Sequence, residues 1–247
     1  MIFYCGKTDA GRQRKQNEDS ILTSADLFLV CDGMGGRKAG EIASRIAVET
    51  IRGEISLDGA EPRDGSGACD PAIAQRLKSA IQVANSEIRR LAADSRDNAG
   101  MGTTVAAALF ERDRECVSYA NVGDSRIYLI RDGTIAQLSR DDSWINAAFG
   151  PDEVDSAARS SLQNVLTKAL GTHEDPDFEV RTHELADGDV LLLCSDGLTS
   201  MVADAEILAI VTARRGDPER AAQELIDAAN RAGGRDNISA IVVRFGE

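Results

Sequence analysis

With 247 residues, 43% of them hydrophobic, the chain can bury one substantial core and is too apolar to be disordered. Its 28 Lys and Arg stand against 41 Asp and Glu, and the net charge of −13 disfavours nucleic acid or an anionic membrane as the main partner. No apolar run reaches the roughly 18 residues of a membrane span, and residues 1–7 lack the long apolar core of a signal peptide, so a cytoplasmic protein is expected.

In chain order, Asn17-Glu18-Asp19 precedes the apolar run 20–23, and the run 27–31 leads into Asp32-Gly33. Short runs of Leu, Ile and Val bounded by Asp, Gly and Asn read as strands. A first helix is expected over 40–52, with Ile42, Ala43, Ile46, Ala47 and Thr50 on one face. Residues 53–70, rich in Gly, Asp and Pro, read as an exposed loop. Pro71 opens a second helix with the stripe Ile73, Leu77, Ile81, Ala84, Ile88 and Leu91. Strands follow at 104–110, 115–121 and 126–130, and Arg131-Asp132-Gly133-Thr134 suits a type I′ hairpin turn. Residues 144–162 are polar and irregular, a short flap. Strands return at 178–185 and 190–194, the latter running into Ser195-Asp196-Gly197. A helix over 218–232 ends at Gly233-Gly234, and Arg235-Asp236-Asn237 precedes the last strand, 238–245. Helices flank groups of strands instead of alternating with them, which implies an α+β fold with antiparallel sheets in one domain, 1–247.

The five cysteines show no paired spacing, so neither a disulfide nor a zinc site is expected, in keeping with a reducing compartment. Cys31 and Cys194 fall inside expected strands and read as core thiols.

In an antiparallel sheet the exit of one strand lies beside the entrance of the next. Asp32 and Asp196 at exits, with Asp19, Asp124 and Asp236 at entrances, can therefore gather on one rim. So many carboxylates repel each other unless hard cations neutralise them. Gly33 lets the backbone bare its carbonyl as a further oxygen ligand. Mg²⁺ and Mn²⁺ take such ligands, and a shared carboxylate holds two ions about 4 Å apart, a spacing that polarises a water for attack on phosphorus. Each Asp-Gly alone is a common turn; their coincidence at several strand ends carries the reading. Arg14 lies close enough in sequence to face the same rim and suits a phosphomonoester, since a guanidinium holds two phosphate oxygens at once. Arg12 and Lys15 are neighbouring surface cations. His173 and His183, the only histidines, read as structural or exposed.

The segments Arg14-x-x-Asn17-Glu18-Asp19, Val30-Cys31-Asp32-Gly33-Met34-Gly35-Gly36, Met101-Gly102-Thr103-Thr104, Val122-Gly123-Asp124-Ser125-Arg126, Leu166-Thr167-Lys168-Ala169-Leu170-Gly171, Ser195-Asp196-Gly197-Leu198 and Arg235-Asp236-Asn237-Ile238 follow in that order. Together, from about residue 11 to 245, they resemble the type 2C protein phosphatases, the metal-dependent Ser/Thr phosphatase (PPM) family, in its compact bacterial form. The resemblance implies a four-layer α/β/β/α sandwich of two central antiparallel sheets flanked by helices. It implies two Mn²⁺ or Mg²⁺ ions per chain and a metal-activated water attacking phosphoserine or phosphothreonine in proteins, opposing a bacterial Ser/Thr kinase. Carried over by position, Asp32 bridges both ions and Asp196 and Asp236 complete one shell. Glu18 and the Gly33 carbonyl serve the other, and Asp19 orients water. Asp124, with Asp196, matches the place of a weaker third ion, and Arg14 matches the phosphate-binding Arg. The role of Asn237 stays open. Two residues depart from the pattern: Met34 stands where many eukaryotic relatives carry a His proposed as general acid, and Asp142 precedes Ser143-Trp144 where a His is expected. The flap also looks shorter than in many relatives.

Three other readings compete. A pseudophosphatase has no reason to keep Asp32, Asp124, Asp196 and Asp236 together. A hydrolase of small phosphate esters or nucleotides would share the metal chemistry, although no P-loop is present. A structural Ca²⁺ protein would leave Arg14 without a task. A monomer is expected, as the sequence holds no coiled-coil heptads.

Overall fold

The structure, a computed structural model, describes residues 1–35, 39–57, 69–111, 115–142 and 166–246. Eleven strands occur among them: β1 (Ile2–Asp9), β2 (Asp19–Thr23), β3 (Leu27–Met34), β4 (Gly102–Thr103), β5 (Val105–Glu111), β6 (Cys116–Val122), β7 (Arg126–Arg131), β8 (Thr134–Gln137), β9 (Val180–Glu184), β10 (Val190–Cys194) and β11 (Ile238–Phe245). They form two antiparallel sheets, β1-β11-β10-β7-β8 and β2-β3-β5-β6-β9, with β4 beside the end of β3. The helices are α1 (Ala39–Leu57), α2 (Pro71–Asp94), α3 (Asp204–Ala213) and α4 (Pro218–Arg231).

Central strands buried on both faces make the sandwich. In β3, Leu27, Leu29 and Cys31 face α1 and α2, while Phe28 and Val30 face the other sheet. In β10, Leu191 and Leu193 enter that same middle layer, and Val190, Leu192 and Cys194 face α3 and α4. Three apolar layers thus separate four structural ones, the expected α/β/β/α arrangement. Asp70 caps α2 by accepting the Ala72 N–H (2.9 Å), with Pro71 in the first turn. The Asp132 and Gly133 φ angles of +50° and +74°, with Arg131 opposite Thr134, realise the type I′ turn. No described helix is long and apolar enough to cross a membrane.

Several expectations are corrected. The helix α1 continues to Leu57 through residues read as loop, because Ile55 still packs on the outer core and offsets the roughly 1 kcal/mol helix penalty of Gly53. Strands β1 and β8 and helix α3 lie where the sequence shows no clear period. Both strands are sheet edges with mixed exposure. Cys69 and Cys116 form a disulfide with a Cα–Cα distance of 5.7 Å. Their 47-residue separation in sequence hides a pairing that arises only when the residues before α2 reach the start of β6. A disulfide persists in oxidising surroundings, so this pair removes the cysteine argument for a reducing compartment. Cys5, Cys31 and Cys194 are free, the last two buried as expected. The expected flap at 144–162 lies outside the described residues.

At the end of the sandwich away from the acids, the buried Asp189 accepts Arg131 Nε (2.8 Å), Arg131 Nη2 (2.5 Å) and the Ala186 N–H (2.8 Å). Removing one partner of a hydrogen-bonded charge pair strands the other. Asp189→Ala is expected to cost about 2 kcal/mol, the lower side of that effect because Arg131 is partly exposed. Urea unfolding would measure the loss, with metal affinity unchanged.

Candidate active site

Strand register decides where the acids go. The β2–β3 ladder sets Asp19 directly opposite Asp32, and Val105 of β5 lies opposite Val122 of β6, so Asp124 follows at that same end. In the other sheet Cys194 lies opposite both Ala240 and Arg126, which brings Asp196, Asp236 and the start of β7 to one edge. The expected rim forms.

Asp19 is almost fully buried and joins the two sheets. Its Oδ2 accepts Ser195 Oγ (2.8 Å) and Ser239 Oγ (2.6 Å) from β10–β11, while its Oδ1 is buried without a protein partner. Burial pushes the carboxyl up to about 6, against the pull of the two hydroxyls. Asp32 keeps some exposure at the rim's mouth. Even so, burial holds its carboxyl well above the usual range, and the charges of Asp19, Asp196, Asp124 and Asp236 raise it further. Its backbone is fixed by Thr103 Oγ1 donating to its carbonyl (2.9 Å) and by its own N–H donating to Thr104 Oγ1 (2.9 Å). Asp196 opens the helical turn Asp196–Thr199. Burial and then Asp236 raise it, while a hydrogen bond with Asp32 lowers it. Asp124 is pushed up to about 7 by burial, then by Asp196 and Asp141. Glu18 is raised by burial, with Arg14 pulling it down.

The remaining expected residues also lie here. Gly33 N–H donates to the Glu18 carbonyl (3.2 Å), and Met34 pairs with Gly102. Arg14 and Asp236 are spent on each other, Nη2 to Oδ2 at 2.7 Å. That pair is half exposed and worth under about 1 kcal/mol, so exchanging it for a phosphate and a cation costs little. Asp142 braces the Asp124 turn, its N–H donating to the Gly123 carbonyl (2.9 Å) and its Oδ2 accepting the Gly123 N–H (3.1 Å). Neither histidine joins the acids: His173 is exposed, and His183 sits in β9 with Nε2 buried and unpartnered. A cavity of about 410 Å³ beside Asp142, reached by Arg140, Lys168 and Arg181, is lined by none of the five expected ligand carboxylates.

Among the described residues no three acids already stand as a closed ligand cluster, and the pairs Asp32–Asp196 and Arg14–Asp236 show why. The donor chemistry nonetheless fits hard cations. It consists of carboxylates that raise one another's pKa, one buried oxygen without a partner, and no thiol or imidazole. Sequence reasoning missed Ser195, Ser239 and the bracing by Asp142. Both serines adjoin motif residues, but neutral hydroxyls carry no charge pattern that would mark them.

The profile of one family, described as Protein phosphatase 2C, matches residues 9–230. The chain is similar to the serine/threonine protein phosphatase PstP of Mycobacterium tuberculosis, with 36% identity over 98% of this chain and 45% of that protein. It thus spans about half the length of that relative. It is also similar to the serine/threonine phosphatase stp of Listeria innocua, with 36% identity over 96% of this chain and 93% of the relative. Among solved structures, the PstP catalytic domain in complex with two manganese ions superposes with a TM-score of 0.87 at 30% identity, covering 100% of this chain and 99% of that one.

Proposed function

This chain belongs to the protein phosphatase 2C family, and from that premise we propose that it is a phosphoprotein phosphatase acting on phosphoserine and phosphothreonine. The observation that carries the reading is the rim itself. Asp19, Asp32, Asp124 and Asp196 are all held above the usual carboxylate range by burial and by one another, an arrangement that divalent cations relieve.

Asp32 would stand between two Mn²⁺ or Mg²⁺ ions, with Asp196 and Asp236 on one side and Glu18 and the Gly33 carbonyl on the other. Asp124 with Asp196 would hold a weaker third. Such ions supply charge neutralisation at a phosphoryl group and bring the ionisation of water toward neutral pH. Arg14, released from Asp236, grips two phosphate oxygens. Asp19 is locked by Ser195 and Ser239 through Oδ2 and keeps Oδ1 for orienting the attacking water. A water oxygen bonds to phosphorus, the bond to the Ser or Thr oxygen breaks, and that oxygen takes a proton. Met34 cannot give that proton, so it comes from water. No residue of the chain becomes phosphorylated. The substrates are proteins marked by a Ser/Thr kinase, and the enzyme works as a monomer.

Hydrolysis of a phosphothreonine peptide in EDTA, and again with Mn²⁺ or Mg²⁺ restored, tests this. Turnover is expected only with metal, and faster than on a phosphotyrosine peptide or a nucleotide. Equal rates in EDTA, or none from folded metal-loaded protein, would sink it.

A further inference from the structure

The residues between β1 and β2 form neither helix nor strand, yet this segment carries both Arg14 and Glu18. Something outside it must fix its path. The Gly234 carbonyl accepts the N–H groups of Arg12 (2.7 Å) and Gln13 (3.2 Å). The rest of the work falls to one side chain. Asn237 is 5% exposed, and every bond its amide makes goes to this segment. Its Oδ1 accepts the Glu18 N–H (2.8 Å), and its Nδ2 donates to the Ala10 carbonyl (3.1 Å) and the Gln16 carbonyl (2.9 Å). The three contacts bracket Arg14 on both sides. The backbone N–H of Asn237 meanwhile donates to Asp236 Oδ1 (2.9 Å), whose Oδ2 accepts from Arg14.

We infer that Asn237 is a positioning residue for phosphate recognition: it sets where Arg14 and Glu18 stand relative to Asp236. The inference rests on the phosphatase reading above for the role of Arg14. The Arg14 side chain is about half exposed and is held only by an exchangeable ion pair, so its place at the rim is inherited from its backbone. A side chain spanning residues 10, 16 and 18 is the device that fixes that backbone. An aspartate at 237 would keep the acceptor for the Glu18 N–H but lose both donors, facing two carbonyls with negative charge.

The test is a double-mutant cycle on the Mn²⁺-loaded full chain, reading inorganic phosphate affinity by titration calorimetry beside KM and kcat. Asn237→Asp is expected to weaken phosphate and raise KM about tenfold, the worth of a hydrogen bond or two, with kcat changed less than about threefold. Combined with Arg14→Ala, it should add nothing to the Arg14→Ala loss, because both act through one guanidinium. Additive losses would show that Asn237 does not act through Arg14, and a lowered melting temperature with phosphate affinity intact would assign it to stability alone; either result overturns the inference. If Asn237→Asp fails to fold, Asn237→Ala, which adds no charge, carries the same comparison on phosphate affinity. Phosphate binding without peptide turnover in the wild type would overturn the enzyme reading, while the cycle on affinity still judges Asn237. A wild type that binds no phosphate would overturn the positioning role.

Discussion

Asp32→Asn is expected to lower turnover of a phosphothreonine peptide by about a thousandfold or more, since it removes the carboxylate shared between two cations. The same change should stabilise the metal-free protein. Burial and four neighbouring acids hold the Asp32 carboxyl well above its usual range, so its ionised form works against folding. An amide of the same shape carries no charge and can still donate to Asp196. The pH dependence has a definite sign. Asp19 at about 6 and Asp124 at about 7 are raised above the ordinary 3.8, so the folded state holds protons that the unfolded chain releases. Stability from these groups is complete below about pH 4 and is lost as pH rises through 6 and 7. In EDTA the wild-type melting temperature should therefore fall between pH 4 and 8, and Asp32→Asn should fall less. At pH 8 the variant should melt a few degrees higher, the scale of about 1 kcal/mol in a domain this size. An active variant, or one less stable than wild type in EDTA at pH 8, would show that Asp32 is a structural acid.

The rim could be read from sequence because charge and apolar runs obey strict rules. A run such as 190–194 is too apolar to be anything but buried, and the acid that ends it must lie at the sheet's edge. Antiparallel pairing does the rest, placing Asp19 opposite Asp32. What escaped the sequence is what pairing alone does not order. Ser195 and Ser239 look like ordinary strand-end residues until the packing of two sheets aims both hydroxyls at Asp19. The Cys69–Cys116 pair depends on α2 lying across β6. Strand β1 exists because β11 offers it an edge, not because residues 2–9 alternate cleanly. The pairing of Arg14 with Asp236 was also hidden, since two residues each assigned to a different ligand had no reason in sequence to meet.

Gly33→Ala should be among the most damaging small changes in the described residues. Its φ is not in the left-handed region, so an alanine backbone is allowed; only space is lacking. An added Cβ would stand 2.1 Å from the Gly40 carbonyl oxygen and 2.6 Å from that of Glu18. Both obstacles are main chain and neither can rotate away. One is the first turn of α1, which carries Ala43, Ala47 and Ile51 into the outer core; the other is the segment ending at Glu18. Relief requires α1 or that segment to shift, at a cost of about 3 kcal/mol, the upper part of the overpacking range. Either shift also moves Glu18 and the Gly33 carbonyl, so Mn²⁺ affinity and turnover should collapse together. Gly53→Ala is the matched control, because nothing lies within 4 Å of its Cβ position and it sits in the exposed part of the same helix. It should gain roughly 0.5–1 kcal/mol from helix propensity. Urea unfolding of both variants, with Mn²⁺ titration followed by electron paramagnetic resonance, decides the matter. If Gly33→Ala matched the wild type in stability and metal affinity, the close approach of β3, α1 and the Glu18 segment would not be what shapes this site.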